Sequence, residues 1–236
     1  MLGVSGKILA KIMKKLRECV KPGITTGEID SLAEGLIIKE NATPAFKGYK
    51  GFPASICTSV NEEIVHGIPG ERKLIEGDIL SLDLGINYKG YFSDAAVTLP
   101  VGRVNSRIND LIEATKESLF EGIKQARPNN NLSDISHSIQ EYVEKKGFSV
   151  VRQFVGHGIG SNLHEEPEIP NFGEAHHGPL LKVRMVLAIE PMVNMGTWES
   201  EILDNGWTAV TKDRLPSAHF EHTVAITEIG AQILTN

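Results

Sequence analysis

Residues 78–97 read Asp78-Ile79-Leu80-Ser81-Leu82-Asp83-Leu84-Gly85-Ile86-Asn87-Tyr88-Lys89-Gly90-Tyr91-Phe92-Ser93-Asp94-Ala95-Ala96-Val97. The first nine alternate with period two and Tyr91 to Val97 returns, which predicts an antiparallel hairpin. A two-residue loop of Tyr88-Lys89, closed by Asn87 and Gly90, sets Asp83 directly opposite Asp94 on one face. Their Cβ atoms are then about 5 Å apart. Leu80, Leu82 and Leu84 take the other face, so the sheet is covered there. Two like charges that close repel unless one is protonated or a cation lies between them. Three readings stand at this point: a shared proton, a metal site, or a register other than the one assumed.

Outward from the hairpin, the chain alternates helical and extended patterns. Ile8, Ile12 and Leu16 recur at i+4 with Lys11, Lys14 and Lys15 between them, which predicts an amphipathic helix over about 6–20. Thr25 stands three residues before Glu28, a capping-box spacing, and the stripe Ile29, Leu32, Ala33, Leu36, Ile37 continues from it. Two more helices follow the hairpin. One is carried by Ile108, Leu111, Ile112, Leu119 and Ile123 and stops before Pro128. The other is carried by Ile135, Ile139 and Val143, with Ser133 as cap and Gly147 as stop. Strands return at Phe154-Val155, Met185 to Met192 and Phe220 to Ile226. The class is α+β with a largely antiparallel sheet, and no linker divides residues 1–236, so one domain is expected.

Composition narrows the function. The 236 residues are 41% hydrophobic and 23% charged, ordinary for a globular protein. No apolar run is long enough for a membrane span. A net charge of −6 without a basic block argues against nucleic-acid readout. Two distant cysteines, Cys19 and Cys57, imply no disulfide framework, which makes a reducing cytoplasm the default.

More hard ligands lie downstream. His157 sits in Gly156-His157-Gly158-Ile159-Gly160, and glutamates interrupt apolar strands in Ala188-Ile189-Glu190-Pro191-Met192 and in His219-Phe220-Glu221-His222-Thr223. A buried carboxylate wants a partner. Two Asp, two Glu and one His suit a pair of divalent cations such as Mn, Fe, Co or Zn. His164-Glu165 lacks the second histidine of a zinc-protease helix, since position 168 is Glu168. His176 and His177 read as exposed loop residues, and His137 has no ligand pattern around it.

In order, these motifs are His66-Gly67-Ile68-Pro69, Asp83 and Asp94, Gly156 to Gly160, His164-Glu165-Glu166-Pro167, Ile189-Glu190-Pro191-Met192 and Glu221-His222-Thr223. Together they resemble the type I methionine aminopeptidases over nearly the whole chain, including Val20 to Gly23 and Thr58 to Glu62. The resemblance implies a pita-bread fold: pseudo-twofold halves, a curved antiparallel sheet holding two metals, helices behind. It implies that Asp83 binds one metal, His157 and Glu190 the other, and that Asp94 and Glu221 bridge both. It further implies hydrolysis by a metal-bound hydroxide, with Glu190 shuttling the proton and His66 and His164 bonding the scissile amide and the oxyanion. The substrates are then peptide and nascent-protein N-termini carrying methionine before a small residue. Tyr49, Phe52, Cys57, Leu163 and Trp207 are implied as walls of the methionine pocket.

Partners follow the same line: peptides, the ribosome as a family inference that the first helix's lysines support weakly, no membrane, and a monomeric state. Departures from the family pattern touch no ligand. The leader before the first helix is absent, Lys50 stands where His is common, Leu163 where an aromatic is common, and Lys182 to Met185 lacks a Pro-Gly turn. Two rivals remain. An Xaa-Pro peptidase of the same fold is expected to carry an extra N-terminal domain. A non-catalytic peptide- or RNA-binding relative is expected to have lost ligands.

Overall fold

Four helices lie against one face of a strongly curved antiparallel sheet, and the chain divides its elements between two halves. In the computed structural model, which describes residues 1–236, the first half holds α1 (Leu2–Cys19), α2 (Thr26–Lys39), β1 (Thr43–Pro44), β2 (Cys57–Val60), β3 (Glu63–Val65), β4 (Ile79–Tyr88) and β5 (Tyr91–Pro100). The second half begins with α3 (Ser106–Gln125), α4 (Leu132–Lys145), β6 (Ser149–Val150), β7 (Gly156–Gly158) and β8 (Glu165–Ile169). It continues with β9 (Val186–Ile189), β10 (Met192–Asn194), β11 (Ser200–Ile202), β12 (Ala209–Thr211), β13 (Ser217–His219), β14 (Glu221–Thr227) and β15 (Gly230–Ile233). The main sheet runs β1-β4-β5-β14-β9-β7-β8, with β2 also on β4 and β15 also on β14. The halves meet where β5 pairs with β14.

Local signals explain the helices. Thr25 and Glu28 form the reciprocal capping box that starts α2, and α1 reaches back to Leu2, four residues earlier than the lysine–isoleucine pattern implied. The cap of α4 is Asn131, not Ser133. The Asp134 carboxylate accepts from the Asn131 N–H at 2.8 Å, while Ser133 sits inside the first turn and its hydroxyl accepts from the His177 N–H. Both Ser133 and Asn131 suit a cap; the carboxylate three residues on decides for Asn131. One apolar core joins α1–α4 to the leucine face of β4 and to β5, β9 and β14, with Leu80, Leu82 and Leu84 fully buried.

The hairpin register differs from the expectation. Tyr88 pairs with Tyr91, so the loop is Lys89-Gly90, and Asp83 faces Ala96 while Asp94 faces Gly85. Lys89 and Gly90 have φ of 54° and 85°, as a type I′ turn demands, and Gly suits its second position. The Asn87 side chain accepts from the Gly90 N–H at 2.9 Å. Moving the turn by one residue shifts both strands together, so parity survives: Asp83 and Asp94 still share a face, as diagonal neighbours. Two other strands shift. Phe154-Val155 precedes β7 and is not itself extended in the sheet, and Met185 to Met192 is broken into β9 and β10 at Glu190-Pro191.

Candidate metal centre

The sheet register collects the expected ligands on two adjacent rows of one face. In the first row Cys57 pairs with Asp83, Asp83 with Ala96, and Ala96 with Glu221. Glu190 stands one register step past the last β9–β14 pair, His222 with Ile189, and so at the end of that row. In the second row Gly85 pairs with Asp94, Thr223 with Ala188, and Ala188 with His157. Small residues, Gly85 and Ala96, lie opposite the carboxylates and leave room above the sheet. At Gly85 a Cβ would meet the Phe46 ring at 2.7 Å, so that glycine also lets Phe46 pack close.

Asp83, Asp94, His157 and Glu221 are buried, and the Glu190 side chain is 12% exposed. One donor atom each from Asp94, His157 and Glu221 fall within 4.8 Å of one another. The His157 ring comes 3.6 Å from Glu190 Oε1 through Nε2, while its Nδ1–H donates to the Gly158 carbonyl at 2.8 Å. Because a carbonyl only accepts, the proton is fixed on Nδ1 and Nε2 keeps its lone pair for a cation. No Lys or Arg pairs with any of the four acids.

That charge arrangement is unstable as it stands. Burial, then Asp94 beside it, pushes the Asp83 carboxyl well above its usual range. Burial raises Asp94 to about 7. Burial followed by the neighbouring acids raises Glu190 and Glu221 well above the ordinary glutamate range. Asp83 Oδ1 and Glu221 Oε1 are buried and accept no hydrogen bond. Unpaired buried carboxylate oxygens are costly, and divalent cations with O and N ligands relieve both the repulsion and the missing bonds. The residues therefore fit a metal centre.

A cavity of about 230 Å³ opens over the two rows. All twelve residues expected at the site line it: the five ligands, His66, His164, Tyr49, Phe52, Cys57, Leu163 and Trp207. Phe46 and Lys50 complete the lining. Phe46, which carries no sequence signal beyond a Pro/Gly-rich aromatic stretch, went unpicked. His164 Nδ1 lies 2.9 Å from the Tyr49 hydroxyl, and its pKa falls to about 4, chiefly through burial and then through His157 and Lys50. His66 is also held below its usual value by burial. It sits at φ 60°, a strained left-handed conformation for a non-glycine. Gly67 follows because a Cβ there would strike the Thr58 carbonyl at 2.3 Å. Trp207 packs edge-on to Phe52 at 5.1 Å.

One site residue was given no role in advance. His219 is 1% exposed, neither ring nitrogen has a hydrogen-bond partner, and Nε2 is 3.5 Å from Glu190 Oε2. Burial lowers its pKa to about 3. It sits in β13, two residues before Glu221, a position that the apolar pattern of β14 did not separate from ordinary strand. The expected bystanders behave as such: His176 and His177 are exposed, and His137 Nδ1–H donates to the Gly173 carbonyl. A larger groove, about 750 Å³ between α1 and α3, has Lys14, Arg17, Glu18 and Lys116 over an apolar floor, with Glu221 and His222 also in its lining.

The family profile of "Metallopeptidase family M24" matches residues 2–228. The methionine aminopeptidase of Clostridium perfringens is 55% identical over 231 residues, covering 98% of this chain and 93% of the relative. Methionine aminopeptidase 1 of Bacillus subtilis is 54% identical over 231 residues, with the same coverage. The crystal structure of the methionine aminopeptidase from Thermotoga maritima superposes with a TM-score of 0.98 at 47% identity, covering 100% of this chain and 95% of that one. The curved antiparallel sheet with four helices is thus the pita-bread fold, and the chain belongs to metallopeptidase family M24 and, within it, to the methionine aminopeptidases.

Proposed function

We propose that this chain removes N-terminal methionine from peptides and nascent proteins whose second residue is small, with two divalent cations (Mn, Fe, Co or Zn) held by Asp83, Asp94, His157, Glu190 and Glu221. The observation that carries this reading is the pair of rows: three buried acids and the nearly buried Glu190, none paired with a Lys or Arg, at the floor of a cavity walled by Phe46, Tyr49, Phe52, Leu163 and Trp207. Asp83 would hold one cation, His157 and Glu190 the other, and Asp94 and Glu221 would serve both, as the family resemblance implies. The proximity of donor atoms from Asp94, His157 and Glu221 supports that division. Bound there, the cations supply Lewis acidity, making water a competent nucleophile near pH 7 and polarising a carbonyl oxygen.

The chain's own groups do the rest. Glu190, at the break between β9 and β10, takes the proton of the attacking water and returns it to the departing amine. His66 and His164 are held neutral by burial, so each offers one N–H as a hydrogen-bond donor without introducing a second charge. When the Tyr49 hydroxyl donates to His164 Nδ1, Nε2–H faces the substrate, where it stabilises the oxyanion. Phe46, Phe52, Leu163 and Trp207 exclude water, and Cys57 gives a small, polarisable wall suited to an unbranched thioether.

Residues 1–236 act as one catalytic domain, because one core spans both halves. Both cysteines are free, which suits a reducing cytoplasm, and the chain is proposed to work there as a monomer. Ribosome contact is proposed from the nascent-chain substrate, with the lysines of α1 as weak support.

The test is metal-dependent release. Protein is purified anaerobically, stripped, reloaded with Mn, Fe, Co or Zn, and given Met-Ala-Ser, Leu-Ala-Ser and Ala-Pro-Ala. Release of methionine alone, restored by metal, is the expected result. Cleavage of Ala-Pro-Ala would move the chain to an Xaa-Pro specificity, and no cleavage with any metal would leave a binding protein.

A further inference from the structure

The two halves are not joined by an ordinary ladder. Direct β5–β14 pairing covers only Ala96 with Glu221 and Ala95 with His222. One register step onward, at Asp94 and Thr223, a hydroxyl takes over. Thr223 Oγ1 donates to the Asp94 carbonyl at 2.8 Å and accepts from the Asp94 N–H at 2.9 Å. Two steps from Glu221 in the other direction, Thr98 does the same for His219, donating to its carbonyl and accepting from its N–H, both at 2.8 Å. The seam is therefore a short ladder closed at each end by a threonine hydroxyl wedged between the strands.

Thr223 has no main-chain alternative to offer. Its N–H donates to Thr235 Oγ1 at 3.2 Å and its carbonyl accepts from the Leu234 N–H at 2.9 Å. Those two residues are themselves clamped from behind, since Gly6 of α1 lies so close to Leu234 that a Cβ would sit 2.3 Å from its carbonyl oxygen. Remove the hydroxyl, and the Asp94 N–H and carbonyl, both buried, lose their only partners. The carboxylate would follow, because Oδ1 is tied to the neighbouring Ala95 N–H at 3.0 Å and so moves with that backbone.

We propose that Thr223 is a positioning residue for the metal centre: its side-chain hydroxyl, not the sheet ladder, sets where Asp94 presents its carboxylate to both cations. This rests on the assignment of Asp94 as a bridging ligand. Carboxylates that bridge two ions tolerate little displacement, and groups that orient ligands commonly change metal affinity by ten- to a hundredfold when lost. Thr223→Val keeps shape and β-branching while deleting the hydrogen bonds, and Thr223→Ser keeps the bonds while deleting a methyl.

The experiment titrates stripped protein with Mn(II) by calorimetry for wild type, Thr223→Val, Thr223→Ser and Asp94→Ala, and for Ile139→Ala, a core truncation in α4 that lowers stability away from the site. Steady-state kcat and KM on Met-Ala-Ser are measured alongside. Mn(II) affinity should fall at least tenfold in Thr223→Val, with kcat lowered and KM nearly unchanged, and stay within about threefold of wild type in Thr223→Ser and Ile139→Ala. Wild-type affinity in Thr223→Val, or an equal loss in Ile139→Ala, overturns the proposal. If Thr223→Val does not fold, Thr223→Cys, with a weakly bonding thiol of similar size, carries the same test: weaker binding supports the proposal and unchanged binding refutes it. Asp94→Ala separates the two layers. Should it bind Mn(II) as wild type does, the ligand assignment itself fails; should it lose binding while Thr223→Val does not, only the role of Thr223 fails.

Discussion

The two faces of β4 carry opposite kinds of physics. On one, Leu80, Leu82, Leu84 and Ile86 are fully buried against the helices and ask nothing further of their surroundings. On the other, Asp83 is buried among three more acids with an oxygen that bonds to nothing. Both faces are buried, but only one is closed. The leucine face stabilises the fold by roughly 1.5–3 kcal/mol per side chain; the acidic face destabilises the metal-free chain and becomes favourable only when cations arrive. A strand with alternating burial can thus hold stability on one side and a stored electrostatic demand on the other.

Mutations should separate the faces. The largest effect is expected from Asp94→Ala, which should abolish turnover and most metal uptake while leaving the metal-free protein at least as stable as wild type by thermal melting, since a repelling charge is gone. A folded, fully active variant would contradict the site. Next, Glu190→Ala should destroy turnover even where calorimetry still finds a bound cation, because proton transfer goes with the carboxylate; normal turnover would remove Glu190 from the mechanism. Leu82→Ala, on the closed face, should cost about 2–5 kcal/mol in denaturant unfolding yet keep kcat per folded molecule within about twofold. A collapse of kcat there would mean that the faces are not separable. The smallest effect is expected from Tyr49→Phe, which deletes the hydroxyl at His164 and should lower kcat on Met-Ala-Ser several-fold with metal affinity unchanged.

How much of this was legible in the sequence also divides by face. The leucine alternation predicted the hairpin and its buried side, and parity alone placed Asp83 and Asp94 together despite the misplaced turn. Only the exact pairing was lost, because Tyr88-Lys89 and Lys89-Gly90 are both plausible loops until the left-handed conformations at Lys89 and Gly90 choose between them. Local motifs placed Glu190 and His157 through their interrupting neighbours. Long-range geometry was not legible. Nothing in Phe220 to Ile226 tells that β14 pairs with β5 for two residues and then yields its edge to β15, so the Thr223 and Thr98 wedges left no trace. His219 was invisible for the same reason: its importance lies in being 3.5 Å from Glu190, 29 positions away in the chain.

The claim most exposed to a single measurement is that the acidic face needs cations. The site carboxyls have raised pKa values in the folded, metal-free chain, so their protonated forms fit the fold and their charged forms do not. The contribution of these carboxyls to folding stability should then be fully present below the unfolded carboxylate values near 4 and decline as pH rises toward Asp94's value of about 7. Melting temperature measured from pH 4 to 8, with chelator and with saturating Mn(II), tests this directly. Histidines held neutral by burial, His164 at about 4 and His219 at about 3 among them, favour folding as pH rises whether or not metal is bound. The predicted result is therefore the difference: the metal-bound curve should separate upward from the stripped one as pH rises. Two parallel curves, with no growing gap between them, would contradict it.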